Sequence, residues 1–156
     1  MQVRAMVAGK SGAILDIDAQ ATCLEASAKM VEHGVGALVV RDSTADKGVA
    51  GLITERALVR RLAKGQTANA TVAEAMERRL IWVREDEDSN RCMALVTAQR
   101  KRYLLVEGAN GCLTGLISIG DIVKCQLADQ QFLIEQLGSY MGDVPTPAQG
   151  IPIVKP

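Results

Sequence analysis

Aromatic residues are scarce in this sequence, and neither sign of charge is in excess. The chain of 156 residues has one Phe, one Trp and two Tyr, and its 18 Lys and Arg are matched by 18 Asp and Glu. Nucleic-acid binding generally requires a basic surface and aromatic side chains that stack on bases. We therefore predict that the protein binds no nucleic acid.

Histidine is limited to His33, so one chain cannot assemble a paired-histidine metal site or a Ser-His-Asp triad with a distinct base. No general base lies near Ser118 in the sequence to activate that hydroxyl as a nucleophile. We therefore predict that the protein is not an enzyme and has neither a catalytic cofactor nor a metal.

The sequence has no C-x-x-C pair and no long apolar run. Its four cysteines, Cys23, Cys92, Cys112 and Cys125, are best interpreted as reduced residues, three of them within apolar segments. The start, MQVRAMVAGK, lacks the apolar stretch of a signal peptide, and no run approaches the roughly 20 apolar residues of a membrane helix. A soluble, cytoplasmic protein without membrane contact is predicted.

The chain repeats itself. Residues 14–40 align with residues 80–106 without a gap, and the segments beginning GLIT at 51 and GLIS at 115 align as well. Within each copy the periodicity indicates a strand, a helix, two strands joined by a turn, and a closing helix. We predict an α/β (α+β) fold in which two β-α-β-β-α repeats pack as a pseudo-twofold pair.

This periodicity also divides the chain into segments. Residues 1–65 form the first repeat with an N-terminal segment, residues 66–78 a linker with a short helical turn, and residues 79–127 the second repeat. Residues 128–142 continue as a C-terminal helix, and the Pro-rich tail, 143–156, is expected to be disordered. An apolar stripe on the C-terminal helix, formed by Leu133, Ile134, Leu137 and Met141, predicts contact with a partner subunit.

A serine and an aspartate mark the strand-to-helix step of the second repeat, GLISIGDIV. Ser118 lies where backbone N–H groups attract a phosphate, and Asp121 could accept hydrogen bonds from two ribose hydroxyls. The spacing equally fits a capping box, in which Ser118 and Asp121 serve only the helix. Both interpretations stay open, and in the first repeat Ala57 replaces the aspartate.

These segments resemble the CBS domain family, small modules named after cystathionine β-synthase that occur as tandem pairs. The resemblance lies in ILDIDAQATCLEASAKM and LIWVREDEDSNRCMALV, in VGALVV and RKRYLLV, and in the closing motif, Gly, two apolar residues, Thr or Ser, and Asp three residues later. It covers about residues 10 to 127, and GLISIGDIVK is especially similar to stand-alone bacterial CBS-pair proteins.

The resemblance implies a regulatory module with two clefts for adenosine-containing ligands such as AMP, ADP, ATP, NAD or S-adenosylmethionine. It implies that Ser118 contacts the phosphate or ribose, that Asp121 accepts from the ribose hydroxyls, and that Arg102 contacts the phosphates. Leu116 and Gly120 are their neighbours in the motif. Lys10 precedes the first strand and is a further candidate contact. The adenine is expected against the other repeat, at Ala13, Leu15, Val35, Gly36 and Ala37.

The first repeat departs from the family pattern. It has Ala57 in place of the aspartate, and Gly36 where the second repeat has Arg102. A weak, empty or differently specific second cleft is therefore predicted at Thr54. Arg56, close to it, is either an anion contact or a solvated helix residue.

Taken together, the resemblance implies an adenine-nucleotide sensor that forms a homodimer through its CBS pairs and C-terminal helix and acts on an unknown regulated protein. The alternative is an oligomerisation module whose clefts are vestigial and bind no ligand.

Overall fold

The computed structural model describes residues 1–10 and 13–141, with side chains described as far as residue 137. The Pro-rich tail of the prediction, 143–156, and the side chain of Met141 lie outside the described residues. The elements are α1 (Val3–Ala8), β1 (Asp16–Asp18), α2 (Cys23–His33), β2 (Ala37–Arg41), β3 (Val49–Thr54), α3 (Glu55–Ala63), α4 (Val72–Ala75), β4 (Trp82–Arg84), α5 (Ser89–Gln99), β5 (Tyr103–Glu107), β6 (Leu113–Ser118) and α6 (Ile119–Met141).

The strands form two three-stranded sheets with the same topology. In the first, β2 is parallel to β1 and antiparallel to β3; in the second, β5 is parallel to β4 and antiparallel to β6. Ala37 pairs with Thr54, and Tyr103 occupies the same position opposite Ser118. The mixed fold with two repeated units is therefore confirmed.

Local sequence explains where the first large helix begins and ends. The Thr22 hydroxyl accepts a hydrogen bond from the Glu25 backbone N–H at 3.1 Å, while the Glu25 carboxylate accepts one from the Thr22 N–H at 2.7 Å. Such a reciprocal pair satisfies two backbone donors that have no partner within the helix. At the other end Gly34 adopts the left-handed conformation with φ of 62°, which ends α2 directly after His33.

Alternating side chains of the central strands build the core on both faces of each sheet. Leu38 and Val40 pack under the first repeat's helices, whereas Val39 between them faces the second sheet. In that seam Val39 and Leu105 are fully buried, with Trp82 packed against them. The two sheets thus share an apolar layer that holds the two repeats together.

A short N-terminal helix, α1, packs against the second repeat, and the sequence analysis did not anticipate it. Val3 is fully buried and Met6 nearly so, both in the apolar cluster of the second repeat. Val7 approaches Gly115 of β6 so closely that a Cβ at residue 115 would lie 2.7 Å from Val7 Cγ2. Gly115 therefore lets α1 lie on β6, and this contact carries Lys10 towards the cleft.

The final helix, α6, runs without interruption from the motif of the second repeat into the predicted C-terminal helix. Beyond residue 126 its large apolar side chains are more than half exposed: Leu127, Phe132, Leu133, Ile134 and Leu137. Four of these residues, Leu127, Leu133, Ile134 and Leu137, lie on one side of the helix, and we call them the α6 apolar row. Among the described residues, no helix combines the length and apolarity needed to cross a bilayer.

Candidate functional site

A cavity of about 430 Å³ opens at the seam between the repeats, beside the start of α6. We call it the Asp121 cleft. Nine of the eleven residues predicted for the main site line it: Lys10, Ala13, Leu15, Val35, Gly36, Ala37, Leu116, Ser118 and Asp121. Its size lies within the range of about 300–1,000 Å³ that is usual for small-molecule sites.

Asp121 caps α6 with one of its two carboxylate oxygens. Oδ2 accepts hydrogen bonds from the Ser118 backbone N–H at 2.6 Å and from the Ser118 hydroxyl at 2.7 Å. In return, Ser118 Oγ accepts from the Asp121 N–H at 3.3 Å. In the described part of the chain no donor reaches Oδ1. Capping and ligand binding are therefore compatible, because one oxygen keeps its acceptor capacity in a side chain that lines the cleft.

Lys10 joins the N-terminal segment to this carboxylate. Its ammonium group lies 2.7 Å from Asp121 Oδ2 and donates a 2.7 Å hydrogen bond to the Leu116 carbonyl. An ammonium group has three N–H donors. After these two contacts, one donor remains for a ligand in the cleft.

The ionisation state of Asp121 follows from these neighbours. Burial alone raises the pKa of this carboxyl group, but the hydrogen bonds from Lys10 and Ser118 outweigh burial and hold the pKa below its ordinary value. Asp121 is consequently a carboxylate near neutral pH. In that state it can only accept hydrogen bonds, as recognition of hydroxyl groups requires.

The opposite wall of the cleft comes from the first repeat and is small and apolar. Ala13 and Leu15 lie just before β1, and Val35 and Gly36 lead into β2, which begins at Ala37. A flat ring could lie against such a wall, because no charged side chain projects from these positions.

Several lining residues were missed by sequence reasoning, chiefly Val7, Ile14, Tyr103 and Thr114. Tyr103 matters most because it lines both clefts, and its hydroxyl lies 2.6 Å from the position that a Cβ on Gly36 would occupy. The internal repeat contained the signal: Tyr103 is the counterpart of Ala37, which sequence reasoning did assign to a cleft.

Two predicted site residues do not line the Asp121 cleft. Arg102 lines the other cleft, which corrects its expected placement. In each repeat, the residue just before the central strand, β2 or β5, lies beside the strand-to-helix step of the opposite repeat. Gly36 therefore lines the cleft with Asp121, and Arg102 lines the cleft with Thr54. Gly120 is on the first turn of α6 outside the lining, and a Cβ there would come no closer than 3.6 Å to Ser118 Oγ.

The second cavity, of about 670 Å³, contains Thr54, Arg56 and Arg102. We call it the Thr54 cleft. The Thr54 hydroxyl accepts a hydrogen bond from the Ala57 N–H at 3.2 Å, so it caps α3 as Ser118 caps α6, without an aspartate beside it. The expectation that this cleft has lost its basic contact is wrong, because arginines from both repeats line it.

Fold and clefts together define a pair of repeated β-α-β-β-α modules with ligand-sized cavities at their seam. The sequence model of the CBS domain matches residues 14–64 and 72–128. The chain therefore belongs to the CBS domain family and carries a tandem pair of these domains.

Relatives agree with this assignment. The chain is 33% identical over 124 residues to the CBS domain-containing protein CBSX3, mitochondrial, of Arabidopsis thaliana, an alignment that covers 77% of this chain and 60% of that protein. The chain spans 54 to 63% of the length of the curated relatives that it matches. The structure of a protein with CBS domains from Burkholderia ambifaria MC40-6 has a TM-score of 0.76 at 33% identity, covering 83% of this chain and 96% of that one.

More distant structures share the fold and contain ligands. CBS domain protein PAE2072 from Pyrobaculum aerophilum, complexed with AMP, has a TM-score of 0.69 at 18% identity, covering 78% of this chain and 89% of that one. The CBS domain pair of protein MJ0100, in complex with 5′-methylthioadenosine and S-adenosylmethionine, has a TM-score of 0.70 at 19% identity, covering 83% of this chain and 98% of that one.

Proposed function

We propose that the protein is a non-catalytic regulatory module that senses an adenosine-containing ligand in the Asp121 cleft. The observation that carries this proposal is the convergence of Asp121, Ser118 and Lys10 on a cavity whose other wall is apolar. The candidate ligands are AMP, ADP, ATP, NAD and S-adenosylmethionine. The adenosine ligands bound by PAE2072 and by the MJ0100 pair support this class.

Each part of an adenosine ligand has a partner in the cleft. Asp121 Oδ1 accepts from the ribose hydroxyls, and the adenine lies against Val35, Gly36 and Ala37. Lys10 takes the phosphate contact that sequence reasoning gave to Arg102, because its ammonium group is the cation beside Asp121. Ligand binding would replace water at these groups and tighten the seam between the repeats.

Calorimetry with the five candidate ligands tests this proposal. A hydrogen bond to a charged group contributes about 1.5–3 kcal/mol, so we expect Asp121→Ala to weaken the bound ligand roughly 10- to 150-fold. A matched control is Asp86→Ala, which removes a carboxylate that pairs with Arg84 outside the cleft. Unchanged affinity of the Asp121→Ala variant would remove the assignment of this cleft.

Sensing also requires two states of the domain pair. A ligand shifts a conformational equilibrium only by the difference between its affinities for the two conformations. The Asp121 cleft is formed by both repeats, so occupancy changes how they pack and passes that change to a regulated protein. Four free cysteines, three of them buried, are compatible with the cytoplasmic location that we propose.

A second candidate function is oligomerisation without a ligand, and the α6 apolar row favours it. Side chains of this row are 57–66% exposed. Large apolar side chains gathered on an exposed surface often mark a site of protein association. A thermal shift panel separates the two functions, because a ligand that binds the native state raises the melting temperature by mass action. No shift with any of the five ligands at millimolar concentration would favour the second candidate.

A further inference from the structure

We propose that the Thr54 cleft binds the phosphate chain of a small polyphosphorylated ligand, gripped by cations from both repeats and not through a ribose. This site lies apart from the Asp121 cleft and does not depend on what binds there. The chemistry sought is a di- or triphosphate chain, whether free or carried by a larger molecule.

The charge of the lining distinguishes this cleft from the rest of the molecule. Seven cationic side chains line it, against three carboxylates, in a chain whose net charge is zero. The cations are Arg56, Arg60, Arg61, Lys64, Arg100, Lys101 and Arg102. Like charges gathered in a concave surface raise the local potential and concentrate anions there.

Among the described residues, two of these cations have partners within the protein. Lys101 pairs with Glu77, and Arg61 donates to the Glu74 carbonyl at 3.3 Å and lies 3.9 Å from its carboxylate. In the part of the chain that the structure describes, the other five form no ion pair. Arg61 Nε is in addition buried without a hydrogen-bond acceptor. The lining therefore retains positive charge and donor capacity that no described residue neutralises.

The cations of this cleft come from two segments, one in each repeat, that only the fold brings together. Arg56, Arg60 and Arg61 lie on α3 of the first repeat, whereas residues 100–102 lie between α5 and β5 of the second. Arginine suits this task because its planar guanidinium binds phosphate oxygens through two parallel hydrogen bonds. A phosphate chain bound here would bridge the two CBS domains.

A ribose lacks the acceptor that the other cleft offers. Ala57 occupies the position of Asp121, and the carboxylates of Glu74 and Glu77 lie beside Arg61 and Lys101 instead of at the strand-to-helix step of the motif. The third carboxylate, on Glu55, lies at the border with the Asp121 cleft, with Oε1 3.3 Å from the position of a Cβ on Gly36. Donors thus dominate the lining, which favours phosphate oxygens over sugar hydroxyls.

Calorimetry of the full chain with sodium tripolyphosphate tests the site. We expect one tripolyphosphate per chain, with affinity that falls as the salt concentration rises. The double variant Arg56→Gln/Arg102→Gln should bind at least about tenfold more weakly, since it loses two charge-assisted contacts. The control Arg91→Gln, which removes an exposed arginine of α5 that pairs with Glu87, should bind like the native chain.

Thermal shift of the native chain provides a readout that depends on no variant, because bound tripolyphosphate must raise the melting temperature. An unchanged melting temperature at millimolar tripolyphosphate, or equal affinity in the native chain and the double variant, would overturn the proposal.

Adenosine and ATP distinguish a phosphate-chain site from a second nucleoside site. In the Asp121→Ala background, which disables the other cleft, we expect ATP to displace tripolyphosphate and adenosine not to displace it. Displacement by adenosine would show that the Thr54 cleft holds a nucleoside, and the proposal would fail.

Discussion

Asp121 illustrates at the residue scale how one carboxylate serves both a helix and a cleft. Its Oδ2 accepts from Ser118 and meets the Lys10 ammonium, which leaves Oδ1 without a donor in the described part of the chain. The two interpretations that the spacing left open, cap and ligand acceptor, therefore use different atoms. A loss of ligand affinity in an Asp121 variant must accordingly be separated from a loss of stability.

The pH dependence of stability provides that separation. Because the folded pKa of Asp121 is lowered, its contribution to the free energy of unfolding is complete above about pH 4, where the carboxyl group of the unfolded chain is also ionised. That contribution is lost as the pH falls through the folded pKa. Urea unfolding at pH 7, 5 and 3 should show Asp121→Asn less stable by about 0.5–2 kcal/mol at pH 7 and 5, with the gap closing at pH 3.

Asp46→Asn is the control for this series, since Asp46 is exposed and forms no ion pair among the described residues. Its difference from the native chain should stay near zero at all three pH values. A gap for Asp121→Asn that remained constant down to pH 3 would contradict the ion-pair and capping geometry.

Arg102 shows what sequence reasoning could not resolve at this scale. Its residue type and its place before a central strand were both recognised, but the cleft that it enters depends on how one repeat crosses the other. The repeat register makes Gly36 the counterpart of Arg102, but the register alone does not say which repeat either residue faces. Side chains contributed by short lead-in segments need the three-dimensional pairing before their cleft is known.

At the scale of elements, the repeated strands and helices were predictable, whereas α1 was not. The short continuous apolar runs of β2 and β5 and the polar turns between strands carry strong local signals. A helix of six residues has no such signal, because isolated helices of this length are unstable in water and form only when packed. Burial of Val3 and Met6 against the second repeat supplies that packing.

The contact between α1 and β6 yields a prediction at this scale. Gly115→Ala would place a methyl group 2.7 Å from Val7 Cγ2, so α1 or β6 must move. We expect a loss of about 1–3 kcal/mol in the free energy of unfolding, the usual effect of overpacking. Ligand affinity in the Asp121 cleft should fall as well, since Lys10 follows directly after α1.

Gly9→Ala is the matched control on the same segment, because a Cβ at residue 9 would meet its nearest atom at an ordinary 3.4 Å. Its effect on the free energy of unfolding should stay within about 0.5 kcal/mol. Native stability in the Gly115→Ala variant, measured by urea unfolding, would show that α1 does not lie on β6 as described.

For the whole molecule, the pseudo-symmetry of two repeats produces two clefts with opposite chemistry. One has the carboxylate of Asp121 and a single lysine, and the other has seven cationic side chains against three carboxylates, with Ala57 in the place of Asp121. Tyr103 lines both, so a ligand in one cleft borders a residue of the other. Sequence comparison of the two motifs predicted this asymmetry at Ala57 but not the gathering of arginines, which come from segments far apart in the chain.

The α6 apolar row belongs to the same scale, because it concerns association of whole chains. We expect the native chain to sediment as a dimer, and Leu133→Gln/Leu137→Gln to raise the dimer dissociation constant at least about tenfold through the loss of apolar burial. Glu135→Gln on the same helix is the control and should leave the dimer intact. Sedimentation of the native chain as a monomer at every concentration would contradict the proposed homodimer.

A crystal structure of the protein with AMP, or with whichever of the five adenosine ligands binds, tests the central claim most directly. We predict the ribose hydroxyls within hydrogen-bonding distance of Asp121 and the adenine against Val35, Gly36 and Ala37. An adenosine moiety bound elsewhere, with Asp121 still contacting only Ser118 and Lys10, would contradict it.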